Sequence, residues 1–321
     1  MKIGVTGANG FIGRALVSEL AEKEHEPVAL VRRADRGPAG AEARVLGDLG
    51  PAPVDPALLC GLDVIIHLAA RVHVMRDSAA DPLAAFRAVN TAGAVRLAEA
   101  AHAAGVRRFV FVSTIRVNGA ETPYRNGRGR PFTSFDIPAP TEPYGLSKAE
   151  AERQLAALSA ATGLEVPIVR PPLVYGPGAK GNFARLAGWV ARGMPLPLAL
   201  VDNKRSLVAL DNLVDMLVAV ATHPAAREGT FLVSDDDDLS TPELIARIGR
   251  AIGRPARLFA VPVPLLRAAG ALLGRRGEVR RLTTSLQVDM ADTKARLGWH
   301  PPVAVDAAIA SAVAGLTGGG R

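Results

Sequence analysis

The chain has 321 residues, of which 49% are hydrophobic, 21% charged and only 4% aromatic, with one cysteine and a formal net charge of +7 at pH 7. A chain this long and this apolar can build one large domain or two modest ones, and the lone Cys60 excludes an internal disulfide and points to a reducing compartment. Nucleic acid is not an expected partner despite the basic excess: the arginines are scattered, only Arg125, Arg128 and Arg130 cluster, in a glycine-containing segment that reads as a mobile loop, and the aromatics are too few to stack bases.

In chain order, an apolar strand at 2–6 is followed at once by Gly7-Ala8-Asn9-Gly10-Phe11-Ile12-Gly13 and a helix over 14–23. A strand that breaks at glycines and turns into a helix aims free N–H groups and the positive helix end at a diphosphate. The spacing is Gly-x-x-Gly-x-x-Gly, not the commoner Gly-x-Gly-x-x-Gly. No charged leader precedes the first strand, so no signal peptide is expected. Further apolar runs at 27–31, 43–46, 63–68, 109–113 and 166–170 alternate with helical stretches. The alternation predicts an α/β fold, a Rossmann-type doubly wound parallel sheet over 1–173, with ligands at the carboxyl ends of the strands. Beyond Pro171-Pro172 the pattern turns irregular, which predicts a smaller substrate-binding lobe over 174–321, with 205–232 able to return to the sheet. The acidic run 235–238 reads as a solvated turn ahead of a helix with a Ser240-x-x-Glu243 capping box. The apolar stretch 258–274 is broken by Pro262, Pro264 and Arg267 and cannot span a bilayer, so a cytoplasmic protein with no membrane partner is expected. The tail 318–321 reads as frayed.

Tyr144 and Lys148 stand four apart near the start of a helix expected to run to about Ala161, which puts them on one face. A tyrosine of ordinary pKa is about one part in a thousand ionised at pH 7, and a nearby ammonium and a cationic nicotinamide would lower that pKa. No histidine or cysteine spacing suits a metal, and none is expected.

Tyr-x-x-x-Lys behind an amino-terminal Gly-x-x-Gly-x-x-Gly resembles the extended short-chain dehydrogenase/reductases, in their nucleotide-sugar branch typified by UDP-galactose 4-epimerase. The resemblance covers nearly the whole chain. It implies that Gly7, Asn9, Gly10, Phe11, Ile12 and Gly13 hold the dinucleotide, that Asp48 and Leu49 contact adenine, and that Leu68, Ala69, Ala70, Ser113 and Pro171 lie along the cofactor. Thr114 would orient the sugar C4 oxygen, Asn90 would support the site, and Tyr144 as phenolate would take the C4 hydroxyl proton as hydride leaves for the nicotinamide, with Lys148 lowering the tyrosine pKa and holding the ribose. Taken singly, Thr114 could cap a turn and Asn90 could be a satisfied helix residue. His73 and Met75 could reach substrate or merely pack in a loop. Asn182, Phe183 and Arg205 fall where relatives hold uracil and pyrophosphate; Arg281 could add a second guanidinium, although Arg280 beside it competes for that role.

The second strand ends Val31-Arg32-Arg33, with no acid for a ribose 2′-hydroxyl. Two guanidiniums suit a 2′-phosphate, which favours NADP(H) over NAD(H), unless Arg32 only stacks on adenine. Thr114 is followed by Ile115-Arg116, not the Asp-Glu pair of the family's dehydratases. The combination Ser-Thr-Ile-x-Val-Asn-Gly at 113–119, Arg-Pro-Pro-Leu-Val-Tyr-Gly-Pro-Gly at 170–178 and Ser-Leu-Gln-Val-Asp at 285–289 resembles the 4-ketoreductases that convert UDP-2-acetamido-2,6-dideoxy-hexos-4-ulose to UDP-N-acetylquinovosamine for surface polysaccharide, and NADP(H) would suit that reaction. A UDP-glucose or UDP-N-acetylglucosamine 4-epimerase is the alternative, and a non-catalytic NADP(H)-binding sensor a third. Relatives imply a homodimer through the Tyr144 helix.

Overall fold

The computed structural model describes residues 1–33, 37–38, 40–50, 52–72, 81–125, 128–179 and 181–317. Its strands are β1 (Lys2–Thr6), β2 (Glu26–Val31), β3 (Glu42–Val45), β4 (Val64–His67), β5 (Arg108–Val112), a small antiparallel pair β6 (Tyr124–Arg125) and β7 (Arg128–Gly129), then β8 (Pro167–Arg170), β9 (Leu173–Tyr175), β10 (Leu207–Ala209) and β11 (Gly229–Leu232). The helices are α1 (Phe11–Glu22), α2 (Pro82–Phe86), α3 (Ala94–Ala103), α4 (Pro143–Thr162), α5 (Asn182–Ala191), α6 (Leu210–Thr222), α7 (Thr241–Ile252), α8 (Val263–Leu272), α9 (Arg276–Thr283), α10 (Ala291–Leu297) and α11 (Val305–Thr317).

The apolar runs without alternation lie where both faces are covered: β4, β5 and β8 are buried throughout. The main sheet runs β11-β8-β5-β4-β1-β2-β3, with every pairing parallel. Its order reverses beside β1, which opens a crevice at the carboxyl ends of β1 and β4. All six strands expected from the apolar runs are present, each to within one residue at either end. The edge strand β3 is mostly exposed and carries Glu42, bonded to Lys2 and Arg44, as edge strands that must not pair further tend to.

After β8 the chain pairs β9 with β10 in a separate small sheet, then comes back. α6 packs on α1, and β11 joins the main sheet beside β8. Arg108, fully buried, secures this return: its Nη1 donates to the carbonyls of Val220, Ala221 and His223 at the end of α6, while Nε donates to Glu165 at 2.7 Å. A guanidinium on the last carbonyls of a helix satisfies acceptors that have no helical donor and meets the negative end of the dipole. A further apolar core lies among β9, β10, α5, α7 and α11.

His67, at the end of β4, is wholly buried and stacked on Phe109 and Phe111. Thr6 Oγ1 accepts the N–H groups of Leu68 and Ala69, so its own proton goes to His67 Nδ1 at 2.9 Å and the neutral ring carries its hydrogen on Nε2. Burial, with the Lys148 charge adding, pushes the imidazole down to about 3. Between pH 3 and 6.5 the unfolded chain binds a proton here that the folded one does not. Stability should therefore fall as pH drops through that window, by up to about 1.4 kcal/mol per pH unit from this group. Urea unfolding of His67→Gln at pH 6, 5 and 4 should show a slope smaller by about one proton; an unchanged slope would contradict the assignment.

Candidate active site

The glycine loop is built so that backbone can come where a side chain cannot. Gly7 has φ +67°, and a Cβ there would lie 3.0 Å from the Ala69 nitrogen. A Cβ on Gly13 would collide with the Gly7 carbonyl and lie 2.7 Å from Ala8 Cα. α1 starts without a capping side chain or an acid in its first turn, so the N–H groups of Phe11, Ile12 and Gly13 remain available at the positive end of the helix. They face a cleft of about 700 Å³ that Asn9, Gly10, Leu68, Ala69 and Ala70 also line. Space that a Cβ would fill and unclaimed donors at a helix start fit a dinucleotide diphosphate. Arg32, Asp48 and Leu49 line the same cleft, and Arg32 Nη1 stands 3.4 Å from Asp48 Oδ1 with both side chains exposed. Arg33 is exposed and is not part of the lining.

Ser113, Thr114, Lys148 and Pro171 gather instead at the ends of β5 and β8, and Tyr144 stands at the start of the helix that carries Lys148. The Ser113 N–H donates to the Val169 carbonyl and that of Ile115 to Pro171. Pro143 opens α4, and a Cβ on Gly145 would lie 2.8 Å from the Arg116 carbonyl, so glycine after Tyr144 lets the helix start abut the turn after Thr114. That turn is capped by Thr114 itself, whose Oγ1 accepts the Arg116 N–H at 3.3 Å. Ser113 Oγ is buried and, among the described residues, has no hydrogen-bond partner. Lys148 is buried, with Nζ donating to the Val112 carbonyl at 2.8 Å and lying 4.3 Å from the Phe111 ring centre. Burial pushes its ammonium down to about 7, against the opposing pull of Glu152. The Tyr144 phenol is pushed up to about 12, again by burial. This differs from the expectation of a tyrosine lowered by its lysine: desolvation dominates both groups, and it weakens the ammonium that was to do the lowering.

Asn90 lies in a π-helical turn over Arg87–Gly93, a helix distortion common at functional sites. Its Oδ1 accepts the Arg71 N–H, and its Nδ2 donates to the Arg71 carbonyl and to Ser147 Oγ. Ser147 Oγ in turn donates to the Tyr144 carbonyl, and Thr91 Oγ1 donates to that of Ser147. Asn90 is thus both a satisfied buried polar residue and a clamp on the Tyr144 helix. Ser147 and Thr91 were not singled out from the sequence; polar residues beside Asn90 and between Tyr144 and Lys148 were the available signal. Arg170 completes the frame: Nε and Nη2 grip Glu152 of α4 at 3.0 and 2.5 Å, and Nη1 donates to Asn118 at 2.9 Å, all buried.

A second cavity, of about 50 Å³, is lined by four of the five expected substrate residues, Asn182, Phe183, Arg205 and Arg281, while Thr114 lies outside its lining. Phe183 is mostly core, stacked on Tyr175 with ring centres 5.1 Å apart, and Asn182 Oδ1 accepts from Arg185. Arg205 donates to the Arg281 and Thr284 carbonyls. Burial, then the charges of Arg116 and Arg281, push its guanidinium down to about 10. Repulsion among three arginines marks a place for an anion. Arg280 is instead turned to Glu121 at 2.8 Å, which separates the two neighbours. Arg116 was not singled out from the sequence; its position two after Thr114 was the only hint.

The acidic run is not a solvated turn throughout. Asp235 is buried, accepting from Tyr175 Oη at 2.7 Å, Asn212 Nδ2 at 2.7 Å and the Ala209 N–H. These three donors, all distant in sequence, hold it where spacing alone suggested water, while the capping box of Ser240 and Glu243 forms as expected. His73 and Met75 lie outside the described residues.

Residues 3–233 match the model of the NAD dependent epimerase/dehydratase family. A UDP-glucose 4-epimerase of Vibrio cholerae is 45% identical over 300 residues, covering 93% of this chain and 90% of the relative. A ceramide reductase of Caulobacter vibrioides is 31% identical, covering 84% of this chain and 77% of its own. Among solved structures, MoeE5 in complex with UDP-glucose and NAD aligns with a TM-score of 0.77 at 24% identity over 99% of both chains, a likeness of fold. By both the family match and the identity to its relatives, this chain belongs to the NAD dependent epimerase/dehydratase family.

Proposed function

We propose that this enzyme carries out nicotinamide-dependent oxidoreduction at C4 of a UDP-sugar, and that the reaction is 4-epimerisation of a UDP-hexose or UDP-N-acetylhexosamine. The observation that carries the reading is that Lys148 reaches the end of β5, beside Ser113 and Thr114, from the helix that also carries Tyr144, a helix held by Asn90 and Arg170. The Vibrio cholerae relative supports the epimerase over the ketoreductase that the sequence motifs suggested. NAD is supported over NADP because only one of the two arginines after β2 lines the cleft, and a carboxylate faces it.

The nicotinamide, when bound, supplies the reversible hydride acceptor at C4. Tyr144 takes the C4 hydroxyl proton and later returns it. Lys148 holds the ribose, Thr114 orients the C4 oxygen, and Ser113 Oγ, buried with no partner among the described residues, offers a further hydrogen bond along the cofactor. The first-turn N–H groups of α1 hold the dinucleotide diphosphate. Arg205 and Arg281, joined by Arg116, hold the UDP diphosphate, with Asn182 and Phe183 at the base. No metal enters this scheme.

A second reading, the 4-ketoreductase with exchangeable NADPH, is favoured by the lack of an acid after Val31. Mass spectrometry of nucleotide released on denaturing the purified protein, with assay of UDP-glucose and UDP-galactose interconversion and its N-acetylated counterpart, tests the choice. Stoichiometric NAD with interconversion is expected. NADP or no nucleotide, with NADPH oxidation only on a 4-keto UDP-sugar, would overturn the epimerase.

A further inference from the structure

We propose that the α8–α9 hairpin docks this enzyme on an anionic phospholipid surface. The stretch too short and broken to span a bilayer presents apolar surface to solvent. Leu265, Ala268, Ala269 and Leu272 recur at helical spacing on one face of α8, and all four are exposed. At the tip, Leu272 and Leu273 are 89% and 74% exposed, and Leu265 is 61% exposed. Grouped leucines left open to water mark an interaction surface.

Charge identifies the occupant. Between Val263 and Thr283 the chain has five arginines and one acid, Glu278, and Glu278 is taken by Arg185 at 3.2 Å. Arg275 and Arg276, directly after the exposed Leu-Leu-Gly tip, have no acidic partner among the described residues. Arg267, within α8, bonds the Thr283 hydroxyl and carbonyl and has no acidic partner among the described residues. Leucines that can enter the acyl boundary, with unpaired guanidiniums at headgroup depth, are the pattern of a helix lying on an anionic membrane. No helix among the described residues is long and apolar enough to cross a membrane; this one would lie on its surface. The hairpin is a firm unit, since a Cβ on Gly270 would lie 2.5 Å from Val279, and through Glu278, Arg281 and Leu282 its α9 walls the second cavity. Docking would therefore place that cavity close to the lipid.

The test is sedimentation of the full chain with vesicles of phosphatidylglycerol mixed with phosphatidylcholine, against vesicles of phosphatidylcholine alone. Binding should be at least about tenfold tighter to the anionic vesicles at low salt and should weaken as salt rises. Leu272→Ser with Leu273→Ser, and separately Arg275→Glu with Arg276→Glu, should each cost about tenfold or more while the unfolding transition stays unchanged. Equal binding to both vesicle types, or variants that bind as the parent does, would overturn the proposal. So would sedimentation velocity showing, without lipid, a dimer that the leucine variant turns into a monomer, because a second copy would then cover the patch.

Discussion

Tyr144→Phe is expected to lower turnover by about 10³-fold while the protein still folds and retains its dinucleotide. The change removes one oxygen and leaves the ring, whose centre lies 6.1 Å from that of Phe86. The devices that place α4 lie elsewhere: Gly145 against the Arg116 carbonyl, and Ser147 held by Asn90 and Thr91. Loss of rate would therefore report the proton-transfer role and not a displaced helix. The size of the task is set by burial. With the phenol pushed up to about 12, forming the phenolate at pH 7 costs about 7 kcal/mol before any bound charge assists. Burial also lowers the Lys148 ammonium, which weakens its help. The cationic nicotinamide is the remaining source, so the tyrosine should titrate far lower in the loaded enzyme than in the empty one. Steady-state rates and retained nucleotide measured on the same preparation check this, and a variant within tenfold of the parent rate would sink the mechanism.

Glu152→Ala should destabilise the fold by about 3–5 kcal/mol, because it strands the Arg170 guanidinium in the interior. Both side chains are nearly inaccessible, and Arg170 joins α4, the end of β8 and Asn118 in the segment after Thr114. Removing one member of a buried pair costs more than removing both, since the survivor keeps its desolvation without its partner. Adding Arg170→Met to Glu152→Ala should accordingly recover part of the loss, and the cycle would give the coupling between them. Urea unfolding of the three variants measures it. A loss below about 1 kcal/mol for the single change would show that the pair is solvated and weak.

Some elements were legible because their causes are local. β4 and β5 follow from consecutive apolar residues, and α1 follows from glycines that leave a helix start uncapped. β9, β10 and β11 were not placed as strands, although 205–232 was expected to be able to return to the sheet. They have three or four residues each, too few for a period to show, and their pairing depends on where the chain returns. Asp235 was misread for the same reason: an acid within a polar run has no local mark of burial, and its donors come from β9, β10 and α6.

The sequence by itself determined the α/β class, the glycine loop between β1 and α1, the helix carrying Tyr144 and Lys148, and the four residues now seen to line the second cavity. These depend on spacing along one strand, turn or helix, or on the motifs of a family. Only the tertiary structure decided which groups lose water and which charges meet. It raised Tyr144 and lowered Lys148 together, brought Arg116 to Arg205 and Arg281, locked Arg170 between Glu152 and Asn118, and left Leu265 and Leu272 of α8 uncovered. Desolvation and Coulomb interaction depend on distance in space, and residues dozens of positions apart acquire that distance only when the chain folds.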